Sequence, residues 1–110
     1  MKLPNAENAF VDLVKLTDYC LSPDHPRGKH KARVFQAVCG FTEENARLLK
    51  QQLLEAAEHG DAVEAMSDIY GRRFLIEYSV QGPLGAGRVR TAWIIRHDED
   101  FPRFVSAYVI

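Results

Sequence analysis

The chain has 110 residues, 46% hydrophobic and 26% charged, with a formal net charge of −1. A single unit of this length, residues 1–110, buries roughly 65% of its unfolded surface without disulfide staples, and near-neutral charge means that any nucleic-acid contact needs a local patch. No run approaches the ~18 apolar residues of a membrane-spanning helix, and the opening MKLPNAENAF lacks the apolar stretch of a signal peptide, so a cytoplasmic protein with no membrane partner is expected.

Leu13, Leu16 and Cys20 recur with helical spacing. They predict a first helix that Asp12 starts and the SPDHP stretch stops, because the residue before a proline is pushed out of the α region. The next stretch, DHPRGKHKARVF at residues 24–35, carries Arg27, Lys29, Lys31 and Arg33 with His25 and His30. A second helix is expected from Lys29, with Ala32, Phe35 and Cys39 on its apolar face, Val34 and Val38 widening it, and Gly40 ending it. Cations beside the free N–H groups of a helix start favour phosphate oxygens; the plainer reading is a solvated helix start. Cys20 and Cys39 both fall at apolar helix positions, which predicts buried reduced thiols, while a disulfide needs neighbouring helices in the right register.

Thr42 caps a third helix with Glu43 and Glu44 in its first turn, where the helix dipole favours anions. Ala46, Leu49, Leu53 and Ala56 line its buried side, Gly60 ends it, and His59 reads as a cation in its last turn. After residue 60 the hydrophobic period changes from 3.6 to 2. DAVEAMSDIYG, RRFLIEYSVQ, RVRTAWIIR and RFVSAYVI read as four strands joined by turns, GPLGAG and HDEDFP among them. The expected architecture is therefore α+β: residues 1–60 form about three helices, packed on one face of a four-stranded antiparallel meander in residues 61–110. Phe74, Ile76, Tyr78, Val89, Thr91, Trp93 and Ile95 form one face of that sheet. The other carries Arg73, Glu77, Ser79, Arg88 and Arg90 among Leu75, Ala92 and Ile94. The first face suits the core, although its Trp and Tyr would also suit a binding surface. The last strand, ending in AYVI, is an edge open to pairing, and so a route to a homodimer.

No metal-ligand spacing, P-loop or dinucleotide fingerprint occurs, and no cofactor is expected. The acidic turn Asp98, Glu99, Asp100 and the neighbouring His97 read as solvated. His25 and His30 are candidate proton carriers.

Three segments, LPNAENAFVDLVKLTDYCLSPDHPRGKHKARVFQAVCGFT, YGRRFLIEYSVQGP and VRTAWIIRHDEDFPRFVSAY, together resemble a bacterial family of unknown function. Its members occur as small stand-alone proteins, often encoded beside a short partner, and at the C-terminal tips of large polymorphic toxins. The family's pattern falls on His25, Pro26, Gly28, Lys31, Ala32, Phe35, Thr91, Trp93, Arg103 and Tyr108; His30 lies outside it. The setting implies a toxin module with a small antitoxin or immunity protein as partner. Helices ahead of a four-stranded sheet also resemble the metal-independent ribonucleases that include barnase, EndoU, colicin D and RelE, a likeness at the level of fold.

The leading expectation is a metal-independent ribonuclease acting on RNA. His25 carries protons, Lys31 with Arg90 or Arg103 holds phosphate, Thr91 orients the substrate, and Arg27, Lys29, His30, Arg33, Arg90 and Trp93 line the binding surface. The alternative is a non-catalytic protein-binding module of a two-gene system. An enzyme of another class, such as a nucleotide-using transferase, ranks below both because no cofactor motif supports it. The first requires His25, Lys31, Thr91 and Arg103 to converge on one cleft; the second requires an exposed apolar patch.

Overall fold

The structure is a computed structural model that describes residues 1–110. Asp12 starts the first helical element, its carboxylate accepting the Val14 N–H at 3.0 Å. The single α turn Leu13–Lys15 (α1) then widens into a π turn, Leu16–Cys20, where a continuous α-helix was expected. The Leu16 carbonyl accepts the N–H of Leu21 at 2.8 Å. The wider turn carries Leu16, Cys20 and Leu21 together to the core side, where all three are buried.

The second helix, α2, spans Lys29–Cys39 and closes on Gly40, whose φ of 79° is a left-handed C-cap. Ala32, Phe35 and Cys39 are buried as their spacing predicts, but Val34 and Val38 are exposed and do not widen the stripe. Thr42 and Asn45 form a capping box: the Thr42 hydroxyl accepts the Glu44 N–H, and the Asn45 side-chain oxygen accepts the Thr42 N–H. The cap leads through a 3-10 turn, Glu43–Asn45, into α3, Ala46–His59.

Four antiparallel strands follow in sequence order: β1 Ala62–Glu64, β2 Gly71–Gly82, β3 Gly85–Arg96 and β4 Arg103–Val109. The first is shorter than its sequence suggested, because residues 65–70 turn away before β2. The expected GPLGAG turn shrinks to two residues, Pro83 and Leu84, since Gly82 and Gly85 already pair. Gly82 is required there: a Cβ at this position would meet the Cys39 carbonyl oxygen. The fold is α+β, with the helical elements ahead of a four-stranded meander and packed against it.

One buried cluster joins Leu16, Phe35, Leu49 and Leu53 of the helices to Phe74, Ile76, Val80, Val89, Trp93, Phe104 and Ala107 of the sheet. Of the residues expected in it, Leu13, Tyr78 and Ile95 lie half-buried at its margin. Alternate residues turn outward: Arg73, Leu75 and Glu77 on β2, Arg88, Arg90, Ala92 and Ile94 on β3. Ile94 is nevertheless buried, at a groove it lines with Val105 and Lys15. The β3–β4 register slips between Ala92 and Trp93 and leaves Val105 unpaired, a bulge that sets it beside Ser106.

The first ten residues run as a strap along one end of the molecule. Ala62 donates its N–H to the Met1 carbonyl at 2.7 Å, and the Asn5 amide donates to the Asp100 carbonyl at 2.8 Å. Phe10 pairs with the start of β4: its N–H reaches the Pro102 carbonyl and its carbonyl takes the Phe104 N–H, both at 2.9 Å. The beginning of the edge expected to be open is therefore already occupied by the chain itself.

Candidate functional site

On the outward face of the sheet, strand register brings Glu77, Arg90 and Tyr108 side by side, since Arg90 pairs with Glu77 of β2 and with Tyr108 of β4. The Arg90 guanidinium donates to Glu77 Oε2 from Nε at 3.2 Å and from Nη2 at 2.8 Å, and to the Tyr108 hydroxyl from Nη1 at 3.0 Å. Lys31 arrives from α2, its Nζ 5.0 Å from the centre of the Tyr108 ring. The Arg90 guanidinium carbon lies 5.9 Å from that centre. Two cations thus meet at one phenol, each in reach of the ring's negative face. The Glu77 carboxylate, then the Tyr108 hydroxyl, raise the Arg90 pKa above its ordinary value, so this guanidinium stays charged.

Glu77 and Arg90 line a groove of about 660 Å³ with Arg88, His59 and Asp61, while Lys31 and Tyr108 lie outside its lining. The arrangement supplies a carboxylate able to accept a proton, a hydroxyl able to donate one and cations able to hold an oxyanion. A half-exposed ion pair of this kind contributes little to stability.

The residues expected to form one cleft lie in separate places. Thr91 and Trp93 are each 0% exposed. The Thr91 hydroxyl donates to the Ile76 carbonyl at 2.9 Å and accepts the Trp93 indole N–H at 2.8 Å. Both are core residues, out of reach of any surface ligand, because their strand positions face the helices. Arg103 is committed elsewhere: it binds Glu99 through Nε at 2.7 Å and Nη2 at 2.6 Å, with the Phe10 and Phe101 rings about it. Glu99 raises the Arg103 pKa, and Arg103 in turn holds the Glu99 carboxyl below the usual range.

His25 serves the backbone. Its Nδ1 accepts the N–H groups of Arg27 and Gly28, both at 3.0 Å, and its ring meets Tyr19 edge-on at 4.7 Å. Accepting two N–H groups keeps its proton on Nε2. Its carbonyl takes the Lys29 N–H at 2.9 Å, so three of the N–H groups at the start of α2 that would have received a phosphate are already taken. Arg27 and His30 are exposed. Lys29 and Arg33 line a different groove, opposite Glu43 and Glu44 at the start of the third helical element. Of the expected site residues, Lys31 and Arg90 meet at Tyr108, whereas Thr91 pairs with Trp93 in the core and Lys29 shares a separate groove with Arg33.

Both thiols are buried and free, and burial raises the pKa of Cys20 and Cys39 alike. No helix is long and apolar enough to cross a membrane.

A family described as a domain of unknown function, DUF6883, matches residues 2–110. The chain belongs to the DUF6883 family. A search of curated proteins found no match. The DUF6883 match spans both the helices and the sheet, so the convergence of Lys31 with Tyr108 lies within the family's own extent. Sequence reasoning missed Glu77, Arg88 and His59 as site members and placed Tyr108 only within the family pattern. The signal was present in the alternation: Glu77 opposes Arg90 on the polar face, and Arg88 shares that face.

Proposed function

We propose that this domain cleaves RNA without a metal, on the open face of its sheet. The observation that carries the reading is the meeting of Lys31 and Arg90 at Tyr108, with Glu77 bound to Arg90. A ribose 2′-OH placed over this cluster loses its proton to the Glu77 carboxylate as its oxygen bonds to phosphorus. Lys31 and Arg90 stabilise the charge on the phosphorane oxygens. The P–O5′ bond breaks and the departing oxygen takes the Tyr108 proton, leaving a 2′,3′-cyclic phosphate; solvent carries the Glu77 proton back to the phenolate. The steps assigned here use protons and fixed cations alone.

The test is cleavage of a single-stranded RNA by the purified chain in excess EDTA, with the all-deoxy strand as control. We expect cyclic-phosphate ends from RNA and no cut in DNA. Tyr108→Phe and Glu77→Gln should each lower kcat by about 10²–10⁴-fold, the usual contribution of a positioned proton carrier, with circular dichroism unchanged. Intact RNA after prolonged incubation with folded protein overturns the proposal, as does full activity in both variants.

A second reading has its own observation. Met66, Ile69 and Tyr70, in the loop between β1 and β2, are 89%, 81% and 64% exposed, the apolar display that a protein-binding module requires. A folded chain that leaves RNA intact but binds a short protein partner, and loses it on Ile69→Asp, supports that alternative.

A further inference from the structure

The open face has a second groove at its other end, about 480 Å³, lined by Lys15, Arg73, Arg96, His97, Tyr70 and Ile69 among others. Lys15 and Arg96 take part in no salt bridge. Arg73 is bound to Asp68 at 2.6 Å, and the same carboxylate accepts the Tyr70 N–H at 2.9 Å. That pair of bonds fixes the loop so that Tyr70 stands at the groove. The His97 Nε2 lies 3.2 Å from the Asp68 carbonyl and ties the next turn to the same point.

Arg96 is six positions beyond Arg90 on β3, which places the two grooves about 20 Å apart along one strand. Between them the face is small and apolar, with Leu75 and Ala92 paired across β2 and β3. Unpaired cations at both ends, an apolar middle and an exposed aromatic ring repeat the pattern by which single strands are held: cations track phosphates while bases lie on aromatic and apolar side chains. Asp98 also lines this groove, so its cations face one carboxylate there.

We infer that the groove at Lys15, Arg96 and Tyr70 is a second subsite for the same RNA strand, holding a phosphate on the two cations and a base against Tyr70, roughly four nucleotides from the reacting phosphate. This rests on the cleavage reading above. It adds that the substrate is single-stranded and longer than the bond being cut, since a paired duplex could not offer a base to Tyr70.

The experiment uses 2′-O-methyl RNA, which cannot be cleaved, as a dinucleotide and as an octanucleotide, with binding followed by fluorescence anisotropy across salt concentrations. Cleavage of an unmodified dinucleotide is measured in parallel. The wild-type chain should bind the octamer at least ~10-fold more tightly than the dimer. Lys15→Ala with Arg96→Ala should remove most of that gain and reduce the salt slope by about 1.4, the value for two single-strand phosphates. Tyr70→Ala should weaken octamer binding on the order of ten-fold. All three changes should leave dinucleotide cleavage as it was. Equal affinity for the two lengths, or variants that keep the octamer gain, overturns the second subsite while dinucleotide cleavage still supports the first. An oligoglutamate peptide that binds this groove as tightly as the octamer assigns it to an acidic protein segment and also overturns it. Failure to bind or cleave either RNA brings down the cleavage reading itself.

Discussion

Replacing Thr91 with valine tests whether this residue belongs to the core or to a site. The two side chains have the same shape, so no cavity opens. The loss is confined to one hydroxyl that serves two partners, the Ile76 carbonyl at 2.9 Å and the Trp93 indole N–H at 2.8 Å. In the variant the indole N–H is buried with no acceptor, which costs about 1–3 kcal/mol. For a domain of this size that lowers the thermal midpoint by roughly 4–12 °C, at ~4 °C per kcal/mol. Trp93→Phe removes the donor as well as part of a packed ring, so Thr91→Val in that background should cost less than it does alone. The coupling should reach about 1–2 kcal/mol in a double-mutant cycle, measured by urea denaturation at fixed pH. A Thr91→Val chain within ~0.5 kcal/mol of wild type would refute the argument. So would strict additivity, or a loss of RNA cleavage with stability intact.

His25→Ala should destabilise the chain by about 1 kcal/mol, as for a lost helix cap, because the Arg27 and Gly28 N–H groups lose their acceptor; urea midpoints check this, and kcat on RNA should not change. Gly82→Ala should be strongly destabilising, since the added methyl meets the Cys39 carbonyl and the hairpin must shift away from α2; loss of soluble expression or a large fall in melting temperature is the expected readout. Arg72 holds Glu64, the Tyr70 N–H and then Arg73 hold Asp68, and Arg103 holds Glu99 below the usual carboxylate range. Their folded pKa values lie under the unfolded ones, so their contribution is present above the unfolded carboxylate range, roughly pH 4, and is lost below it as the pH falls through the lowered folded values. Denaturation at pH 6 and pH 3 should therefore show lower stability in acid, and Glu99→Gln should flatten the difference.

The change of hydrophobic period near residue 60 made the architecture legible: helix spacing set Phe35, Leu49 and Leu53 inside, and alternation set Phe74, Ile76 and Trp93 opposite them. The same alternation held the fate of Thr91 and Trp93, whose parity places them inward, and weighing them as site residues went against it. The cation-rich stretch before α2 was misleading for a local reason. Composition cannot show that an imidazole has already occupied the helix start. Arg103 and Glu99 lie four residues apart across a turn, close enough to pair, which removes a cation that looks free in a linear reading. The meeting of Lys31 with Tyr108 depends on how α2 crosses the sheet, and no local pattern specifies that. The π turn after α1 and the bulge at Val105 are single-residue insertions in otherwise regular elements, and periodicity averages them away.

The strap formed by residues 1–10 bears on the order in which the molecule assembles. The β2–β3 hairpin closes through Pro83 and Leu84, so its pairings are near in sequence and form early, at small entropic cost. The strap joins residues 61 and 95 positions apart, Met1 to Ala62 and Asn5 to Asp100. It can dock only once both ends of the meander are in place. Segments held by few bonds at the periphery open most readily in the native state, so the Phe104 N–H held by Phe10 should exchange with solvent faster than the N–H groups of the central hairpin, as amide hydrogen exchange would measure. The N-terminal segment is thus a late-closing latch, whose release loosens the start of β4 while the hairpin that carries Glu77 and Arg90 stays paired.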